Sequence, residues 1–331
     1  MASPATAMAA DEFSWIDSLR PLTRGDTRAL NLMDDAAVIP SRSGRDLVVS
    51  VDAMVEGVHF AADEKPGVVA RRLLRTSLSD LAAKAARPFG YFLTIAMPKA
   101  RGENWQAGFR AGLAEDGDEF GVALLGGDTV ATPGPLTLSA TVLGWTAAGG
   151  AVLRSTARPG DALVVCGVIG DGWLGLRAAR GEIADPGGRL ATHYRTPRPL
   201  LGLRELLIGH AKAAADVSDG LLADAGHIAV ASGLGLSLEL SLLPLSLSGA
   251  AWREAQGAEE EGRAMLQLAT GGDDYAIVCA VDPAEEVDFR AAAAELGVPA
   301  AAIGHFSAEP GLQVSLRGAP LTAPGSLGWR H

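Results

Sequence analysis

The sequence predicts a mixed α/β or α+β protein with two lobes, and three observations support this. At 331 residues the chain is long enough for two domains. Apolar β-branched runs and segments with helical periodicity are mixed in both halves. Residues 146–161, TAAGGAVLRSTARPGD, are rich in glycine, proline and small residues. We therefore expect a disordered tail at 1–10, one domain at 11–148 and a second at 149–331.

The first half is predicted to run strand, helix, strand, helix, strand, strand. Residues 46–52, DLVVSVD, form a β-branched run that is typical of a buried strand. Apolar side chains at helical spacing predict a helix over residues 67–86, and these are Val69, Leu73, Leu74, Leu78, Leu81 and Ala82. By the same criteria, a second helix is expected at 103–116 and strands at 91–98, 122–127 and 135–146.

The second half is predicted to mix the same two kinds of element. Short apolar runs such as YAIVCAVD predict strands at 161–170, 213–218, 236–240, 275–282 and 301–306. Helices are expected at 171–180, 199–213, 219–233, 262–269 and 284–296. Gly233 would close the third of these helices, because glycine readily takes the left-handed conformation at a helix end.

Composition excludes several classes of function. The net charge of −11 would repel a phosphate backbone, so a nucleic-acid partner is not expected. If the substrates are phosphorylated, cations must bridge them to the protein. Apolar runs stay below the roughly 20 residues that cross a bilayer, which argues against a membrane protein. Cys166 and Cys279 lie in strand-like apolar runs and are expected to be buried free thiols of a cytoplasmic protein.

Aspartates recur where predicted strands end, at Asp52, Asp128 and Asp216, and Asp80 lies inside a predicted helix. Asp35, Asp80 or Asp216 taken singly would be interpreted as a turn residue or helix cap. Taken together, short carboxylate side chains beside glycines are typical of a site where Mg²⁺ meets phosphate groups.

The segment DVSDG places two carboxylates three residues apart around Ser218 at a predicted helix start. One loop could then hold a metal through its carboxylates and a phosphate through exposed amides, although Ser218 could instead cap the helix. The sequence contains no P-loop motif, no G-x-G-x-x-G after a strand and no H-R-D loop. A bound nucleotide would need another architecture.

In this order, the motifs resemble those of the thiamine-monophosphate kinase family, whose superfamily includes aminoimidazole ribonucleotide synthetase and selenophosphate synthetase. They are DDAAVI at 34–39, SVDAMVEGVHF at 50–60, SLSDLAAKAARP at 77–88, GGDT at 126–129, ADVSDGLLADAGHI at 215–228 and GGDDYAI at 271–277. The resemblance implies an N-terminal ATP- and Mg²⁺-binding domain that pairs in a homodimer to build a barrel, and a C-terminal α/β domain. It also implies direct transfer of the γ-phosphoryl group of ATP to thiamine monophosphate, with several Mg²⁺ ions.

The resemblance assigns roles residue by residue. Metal ligands are implied at Asp35, Ser50, Val51, Asp52, Asp80, Asp128, Asp216 and Asp219, with Val51 acting only through its carbonyl oxygen. Nucleotide contacts are implied at Gly127, Asp128, Arg154 and Ser218, and catalytic roles at Asp80, Asp128, Asp219 and Arg154. Substrate contacts are implied at His59, Asp273 and Trp329. Without the resemblance, His59 could be a core or surface histidine and Trp329 a loose terminal side chain.

Three positions depart from the family pattern. Met33 stands where the family usually has glycine, and Asp273 where it usually has glutamate. Val130 and Ala131 replace the end of the usual GGDTTR, which removes an arginine.

Two other functions stay open. The GGDTVA and MDDA forms would suit a non-catalytic nucleotide-binding regulatory paralogue, and a sister ATP-dependent synthetase of the superfamily is the second alternative. The VDxxVEGVHF and GGDDY forms favour the kinase. Its acceptor is a phosphate oxygen already ionised at neutral pH, so catalysis would need positioning and charge neutralisation more than a general base.

Overall fold

The computed structural model describes residues 15, 17–32, 37 and 39–329, and it confirms a mixed α/β fold with two sheets. The chain divides into one unit of Met1–Leu81 and Arg87–Gly149 and another of Ala82–Ala86 and Gly150–His331. Residues 82–86, which the expected boundaries assign to the first domain, group with the second unit. Within the described ranges, every helix is too short or too polar to cross a membrane.

The first unit follows the predicted order of elements. Two short 3₁₀ turns, Arg20–Thr23 and Thr27–Leu32, come before it. The elements are β1 (Arg45–Val55), α1 (Pro66–Ala83), β2 (Arg87–Pro98), α2 (Glu103–Phe120), β3 (Ala123–Thr132) and β4 (Thr137–Ala147). They form a four-stranded sheet in the order β1-β4-β2-β3, in which only the β2–β3 pair is parallel.

Strands β1 and β3 are longer than predicted, which corrects one part of the sequence interpretation. Asp52 and Asp128 were expected just after their strands, but β1 continues to Val55 and β3 to Thr132. Both are edge strands of the sheet. An edge strand can continue through polar residues, because alternate side chains remain accessible to solvent.

Helices α1 and α2 pack closely and are joined by a buried ion pair. The Arg75 guanidinium donates hydrogen bonds of 2.7 and 2.8 Å to the two carboxylate oxygens of Asp116, whose side chain is fully buried. A Cβ at Gly112 would lie 2.3 Å from the carbonyl oxygen of Gly67, so the two helix backbones touch there. Helix α1 ends before the predicted residue 86 because Ala85 has a left-handed φ of 52°.

The second unit contains a seven-stranded mixed sheet in the order β11-β10-β7-β9-β5-β8-β6. Its strands are β5 (Ala162–Cys166), β6 (Ala211–Asp216), β7 (Gly235–Glu239), β8 (Ile277–Val281), β9 (Ala300–Ser307), β10 (Leu312–Leu316) and β11 (Ala319–Leu321). Its helices are α3 (Asp171–Ala179), α4 (Arg189–Arg195), α5 (Arg204–His210), α6 (Leu221–Ser232), α7 (Leu247–Ala255), α8 (Glu261–Thr270) and α9 (Glu286–Glu295). Cys166 and Cys279 are buried free thiols on β5 and β8.

Some elements of the second unit differ from prediction. Helices α4 and α7 and strands β10 and β11 were not predicted. The helix expected at 199–213 ends at His210, and β6 begins at the next residue. The alanines of β6 favour a helix intrinsically, but they are buried and pair with β8, so tertiary packing decides the local structure.

Glu239, the last residue of β7, is expected to stabilise the second unit through its carboxylate. Its oxygens accept backbone hydrogen bonds from Arg317 at 2.7 Å and Gly318 at 2.9 Å, and others from Ser241 and Ser315. Burial raises the pKa of Glu239, but these bonds outweigh it and hold the pKa at about 2, below the ordinary 4.5. The stabilisation is therefore fully present above pH 4.5 and is lost as the pH falls toward 2.

Glu239→Gln should lower the free energy of unfolding by about 1–3 kcal/mol at pH 7, because an amide cannot accept hydrogen bonds on both of its terminal atoms. Urea unfolding of the variant and of the exposed control Glu309→Gln measures the difference. It should shrink in acid, and an unchanged free energy at pH 7 would refute the assignment.

Candidate active site

The first cluster of candidate residues lies on one face of the four-stranded sheet. Ser50 and Asp52 are two residues apart on β1, so their side chains point to the same face. The Ser50 hydroxyl donates a hydrogen bond of 2.5 Å to Oδ2 of Asp80, which lies in the last turn of α1. Helix α1 therefore covers this face and brings three predicted metal ligands together, and Asp80 lies inside a helix as predicted.

The chemistry of this cluster fits a divalent cation. Burial, and after it the negative charge of Asp80, raises the pKa of Asp52 from 3.8 to about 6, while a hydrogen bond from Ser77 opposes the shift. Two carboxylates that repel each other in a partly buried place are unfavourable unless a positive charge neutralises them. Their oxygens and the serine hydroxyl are ligands of the hard type that Mg²⁺ prefers.

The pairing register places Asp128 on the opposite face of the sheet from Asp52. Across the four strands, the register runs through Asp52, Ala140, Leu93 and Gly127. Paired residues point to the same face and neighbours along a strand to opposite faces, so Asp128 points away from that cluster and is exposed. A single copy of the sheet therefore does not bring Asp128 next to Asp52 and Asp80.

Gly127 and Val51 have geometries that their neighbours impose. A Cβ at position 127 would lie 1.9 Å from the carbonyl oxygen of Leu93, so the close contact of β2 and β3 requires glycine there. The side chain of Val51 points away from Ser50 and Asp52 and is 60% exposed. Its backbone carbonyl is the one group through which it could bind a metal, as the sequence predicted.

His59 has a fixed ring orientation in the turn after β1. The backbone N–H of Val55 donates a 3.0 Å hydrogen bond to Nδ1 of the His59 ring. This bond requires an Nδ1 without a proton, so the neutral ring carries its proton on Nε2. The half-buried ring is thus held as a neutral donor through Nε2, which suits contact with an anionic group.

A residue that the sequence analysis did not single out organises the DVSDG loop. Oδ2 of Asp224, in the first turn of α6, accepts hydrogen bonds from the backbone N–H groups of Ser218, Asp219 and Gly220 at 3.0, 3.1 and 3.1 Å. Ser218 is therefore not the cap of α6, since Gly220 holds that position and makes no side-chain cap bond. The amides expected to bind phosphate are already occupied, so this loop offers carboxylates instead.

Charges converge around Asp224. Burial raises the pKa of Asp224 to about 7, the charge of Asp219 adds to the effect, and Arg154 and the backbone bonds oppose it. Ligand atoms of Asp219, Asp224 and His227 lie within 4.8 Å of one another. Asp216, the last residue of β6, is buried two residues before Ser218. The second unit thus gathers Arg154 and two predicted metal ligands around one loop.

Backbone contacts position Arg154 beside the edge strand β6. The N–H of Ala214 donates to the carbonyl of Leu153 at 3.1 Å, and the Ser232 hydroxyl donates to the carbonyl of Arg154 at 3.1 Å. Thr156 makes a further bond to the carbonyl of Lys212. The segment that carries Arg154 is therefore fixed next to the strand that ends at Asp216.

The GGDDY turn is attached directly to the DVSDG loop. The N–H of Asp273 donates to the carbonyl of Ser218, and the N–H of Tyr275 to that of Val217, both at 2.8 Å. A Cβ at Gly272 would lie 2.6 Å from the Ser218 carbonyl oxygen, so only glycine permits this contact. The two motifs, more than 50 residues apart in sequence, form one surface.

Trp329 also reaches this surface. Its backbone N–H donates to the carbonyl of Asp219 at 2.8 Å, and its side chain is 59% exposed. A Cβ at Gly328 would lie 2.7 Å from the same carbonyl oxygen. The tryptophan is therefore not loose, and it presents an exposed aromatic ring next to Ser218, Asp219 and Asp273.

Asp35 and Met33 lie outside the described residues, so the structure says nothing of their positions. Sequence reasoning also passed over Asp274. Its carboxylate is buried and accepts the N–H groups of Gly170 at 2.9 Å and Gly172 at 2.8 Å, at the start of α3. Burial raises the pKa of Asp274 well above its ordinary value. The repeated Asp-Asp of GGDDY was the signal available, but only the backbone fold reveals that one faces inward.

Comparisons with known proteins agree with this arrangement. The model of the AIR synthase related protein N-terminal domain matches residues 33–146, and that of the C-terminal domain matches residues 158–317. A thiamine-monophosphate kinase of Caulobacter vibrioides is 56% identical over 313 residues, which cover 95% of this chain and 88% of the relative.

Solved structures match as well. The crystal structure of the thiamine-monophosphate kinase from Stenotrophomonas maltophilia K279a has a TM-score of 0.80 and 33% identity, covering 92% of this chain and 96% of the other. AaThiL complexed with AMPPCP and TMP has a TM-score of 0.74 at 23% identity, covering 93% and 96%, which shows the shared fold alone. With both domain models matched and more than half of the residues identical to a full-length relative, the chain belongs to the thiamine-monophosphate kinase family of AIR synthase related proteins.

Proposed function

We propose that this protein transfers the γ-phosphoryl group of ATP to the phosphate of thiamine monophosphate, giving thiamine diphosphate and ADP. The observation that carries the proposal is family membership over nearly the whole chain. The acceptor oxygen is already ionised at neutral pH, so the protein's task is to align two anions in line and offset their charge. The geometry of both carboxylate groups suits that task.

Within the first unit, Ser50, Asp52 and Asp80 would bind Mg²⁺, and the carbonyl of Val51 would add a ligand. Asp216 and Asp219 would do so in the second unit, and Asp35 and Asp128 complete the proposed set. Bound Mg²⁺ supplies positive charge that neutralises the phosphate oxygens of both substrates. A protein with a net charge of −11 needs that charge before it can accept two anions.

Arg154 would contact the nucleotide phosphates, with Gly127, Asp128 and Ser218 as further nucleotide contacts. The fixed segment around Arg154 keeps its guanidinium in the field of Asp224 and Asp219. A preorganised arginine in such a site can offset several kcal/mol of developing charge.

Three residues would bind thiamine monophosphate. His59 would donate through Nε2, Asp273 would accept from the cationic or N–H-bearing rings, and Trp329 would stack on an aromatic ring. Because Trp329 and Asp273 belong to one surface of the second unit, a single ring system could contact both.

The test is direct. Purified protein, ATP, Mg²⁺ and thiamine monophosphate should yield thiamine diphosphate and ADP in equal amounts by chromatography, and EDTA should stop the reaction. ADP without thiamine diphosphate would point to another acceptor, as in a sister synthetase. Tight ATP binding without turnover would instead identify the regulatory paralogue. A cytoplasmic location stays a prediction from the two buried thiols.

We also propose a homodimer formed through the first unit, in which two sheets close into a barrel. Alternate side chains of the edge strand β1 form an apolar row that is unusually exposed, with Leu47 at 42%, Val49 at 50% and Val51 at 60%. Exposed apolar rows on an edge strand are otherwise a risk for aggregation, so a second copy is the natural cover. Asp128 shares this face, and the dimer would cover it too.

Val49→Asp is expected to convert the dimer to a monomer, because it places a charge in the centre of the apolar row. Size-exclusion chromatography with light scattering measures the mass, and circular dichroism checks the fold. Val287→Asp, at a 63% exposed position of α9, is the matched control and should stay dimeric. A wild-type protein that is monomeric throughout the micromolar range would contradict the proposal.

A further inference from the structure

The turn that carries Asp273 is strained and strongly held. Asp273 and Tyr275 both have positive φ angles, 61° and 51°, although neither is glycine. Such conformations cost about 1 kcal/mol or more each and persist where surrounding contacts impose them. Here the contacts are the two backbone bonds to residues 217 and 218 and the buried carboxylate of Asp274, which anchors the turn to the start of α3.

The strained backbone brings the Tyr275 side chain back to Asp273. The Tyr275 hydroxyl donates a hydrogen bond of 2.9 Å to Oδ1 of the Asp273 carboxylate. Tyr275 is buried, with 9% exposure, so its packing fixes the direction of the O–H group. A hydrogen bond from a fixed donor to a charged acceptor is strong and restricts the carboxylate to one rotamer.

We propose that Tyr275 is a positioning residue that sets the Asp273 carboxylate to receive the cationic, N–H-bearing rings of thiamine monophosphate. This role rests on the proposed function. An ionised carboxylate only accepts hydrogen bonds, so its partner on the substrate is the ring system and not the phosphate. Asp273 also has one methylene fewer than the family's usual glutamate, which keeps its carboxylate within reach of the Tyr275 hydroxyl. The tyrosine thereby preorganises the shorter acid.

A double-mutant cycle tests this role. Tyr275→Phe should weaken thiamine monophosphate binding about 10-fold by calorimetry and raise its KM similarly, while kcat and the Kd for ATP stay within about 2-fold. Asp273→Asn should weaken binding at least as much. Adding Tyr275→Phe to Asp273→Asn should have little further effect, because the hydroxyl acts through the carboxylate.

Tyr91→Phe is the matched control. Tyr91 is a buried tyrosine of β2 whose hydroxyl has no hydrogen-bond partner in the described part of the chain, so the variant should bind thiamine monophosphate as the wild type does. Thermal unfolding of every variant separates loss of fold from loss of binding.

Two outcomes would overturn the role of Tyr275 alone: an unchanged affinity for thiamine monophosphate in Tyr275→Phe, or effects of the two substitutions that simply add. An equal loss of ATP binding would do the same, since it would indicate a general disturbance of the site. A folded wild-type protein that does not bind thiamine monophosphate would overturn the proposed function itself.

Discussion

Asparagine in place of Asp80 should lower kcat by on the order of 10²–10³-fold while leaving the protein folded. The Asp80 carboxylate lies beside Asp52 and accepts the Ser50 hydroxyl, so its loss removes one charge from the proposed Mg²⁺ site. The amide is nearly isosteric and can still accept from Ser50. Steady-state kinetics with varied Mg²⁺ should show the lower kcat and a higher half-saturating concentration of Mg²⁺.

The same variant should change how the stability of the metal-free protein depends on pH. Asp52 has its pKa raised to about 6, so between about pH 4 and 6 the folded protein holds a proton that the unfolded chain has released. The free energy of unfolding therefore falls as pH rises through this interval. Removing the charge of Asp80 weakens one cause of the shift, and unfolding curves in EDTA should show a smaller fall.

Asp63→Asn, at an exposed position between β1 and α1, is the charge-matched control and should keep the activity and pH dependence of the wild type. Full activity of Asp80→Asn at low Mg²⁺ would remove Asp80 from the metal site.

Asp219→Asn is the second substitution with a large expected effect, again on the order of 10²–10³-fold in kcat. The N–H of Asp219 donates to Asp224 and its carbonyl accepts from Trp329, and both backbone bonds survive the change. The loop should therefore keep its shape while losing the charge that would bind Mg²⁺. Raising the Mg²⁺ concentration should recover part of the activity, because the neighbouring carboxylates remain.

Thermal unfolding distinguishes this result from a misfolded loop, since the midpoint should stay within a few degrees of the wild type. The exposed Asp288→Asn on α9 serves as control for the lost charge. An Asp219→Asn enzyme that is fully active at low Mg²⁺ would count decisively against a metal at this loop.

Local pattern was sufficient to predict much of the fold. The helical spacing of apolar residues predicts α1, and the order of elements in the first unit follows from periodicity alone. The alanine-rich β6 could not be predicted, because its conformation depends on burial against β8 and not on its own preference. The strands β10 and β11 are short and carry too few apolar residues for a clear period.

The candidate site shows a similar division. Motifs identified the aspartates with chemistry, but not those that support the backbone, because Asp224 and Asp274 have the same composition as their neighbours. Their roles depend on which carboxylate turns inward toward N–H groups. The face on which Asp128 lies depends on pairing across four strands, which a single chain segment does not reveal.

Strand β1 has two duties written in alternation: oxygen-bearing side chains on its even positions near residue 50 and bare valines on its odd ones. Deleting a single residue upstream of Ser50, without a compensating bulge, would turn the strand over and exchange the two sets. Evolution can thus exchange one side chain at a time in this strand, but it cannot change its length without losing chemistry and assembly together.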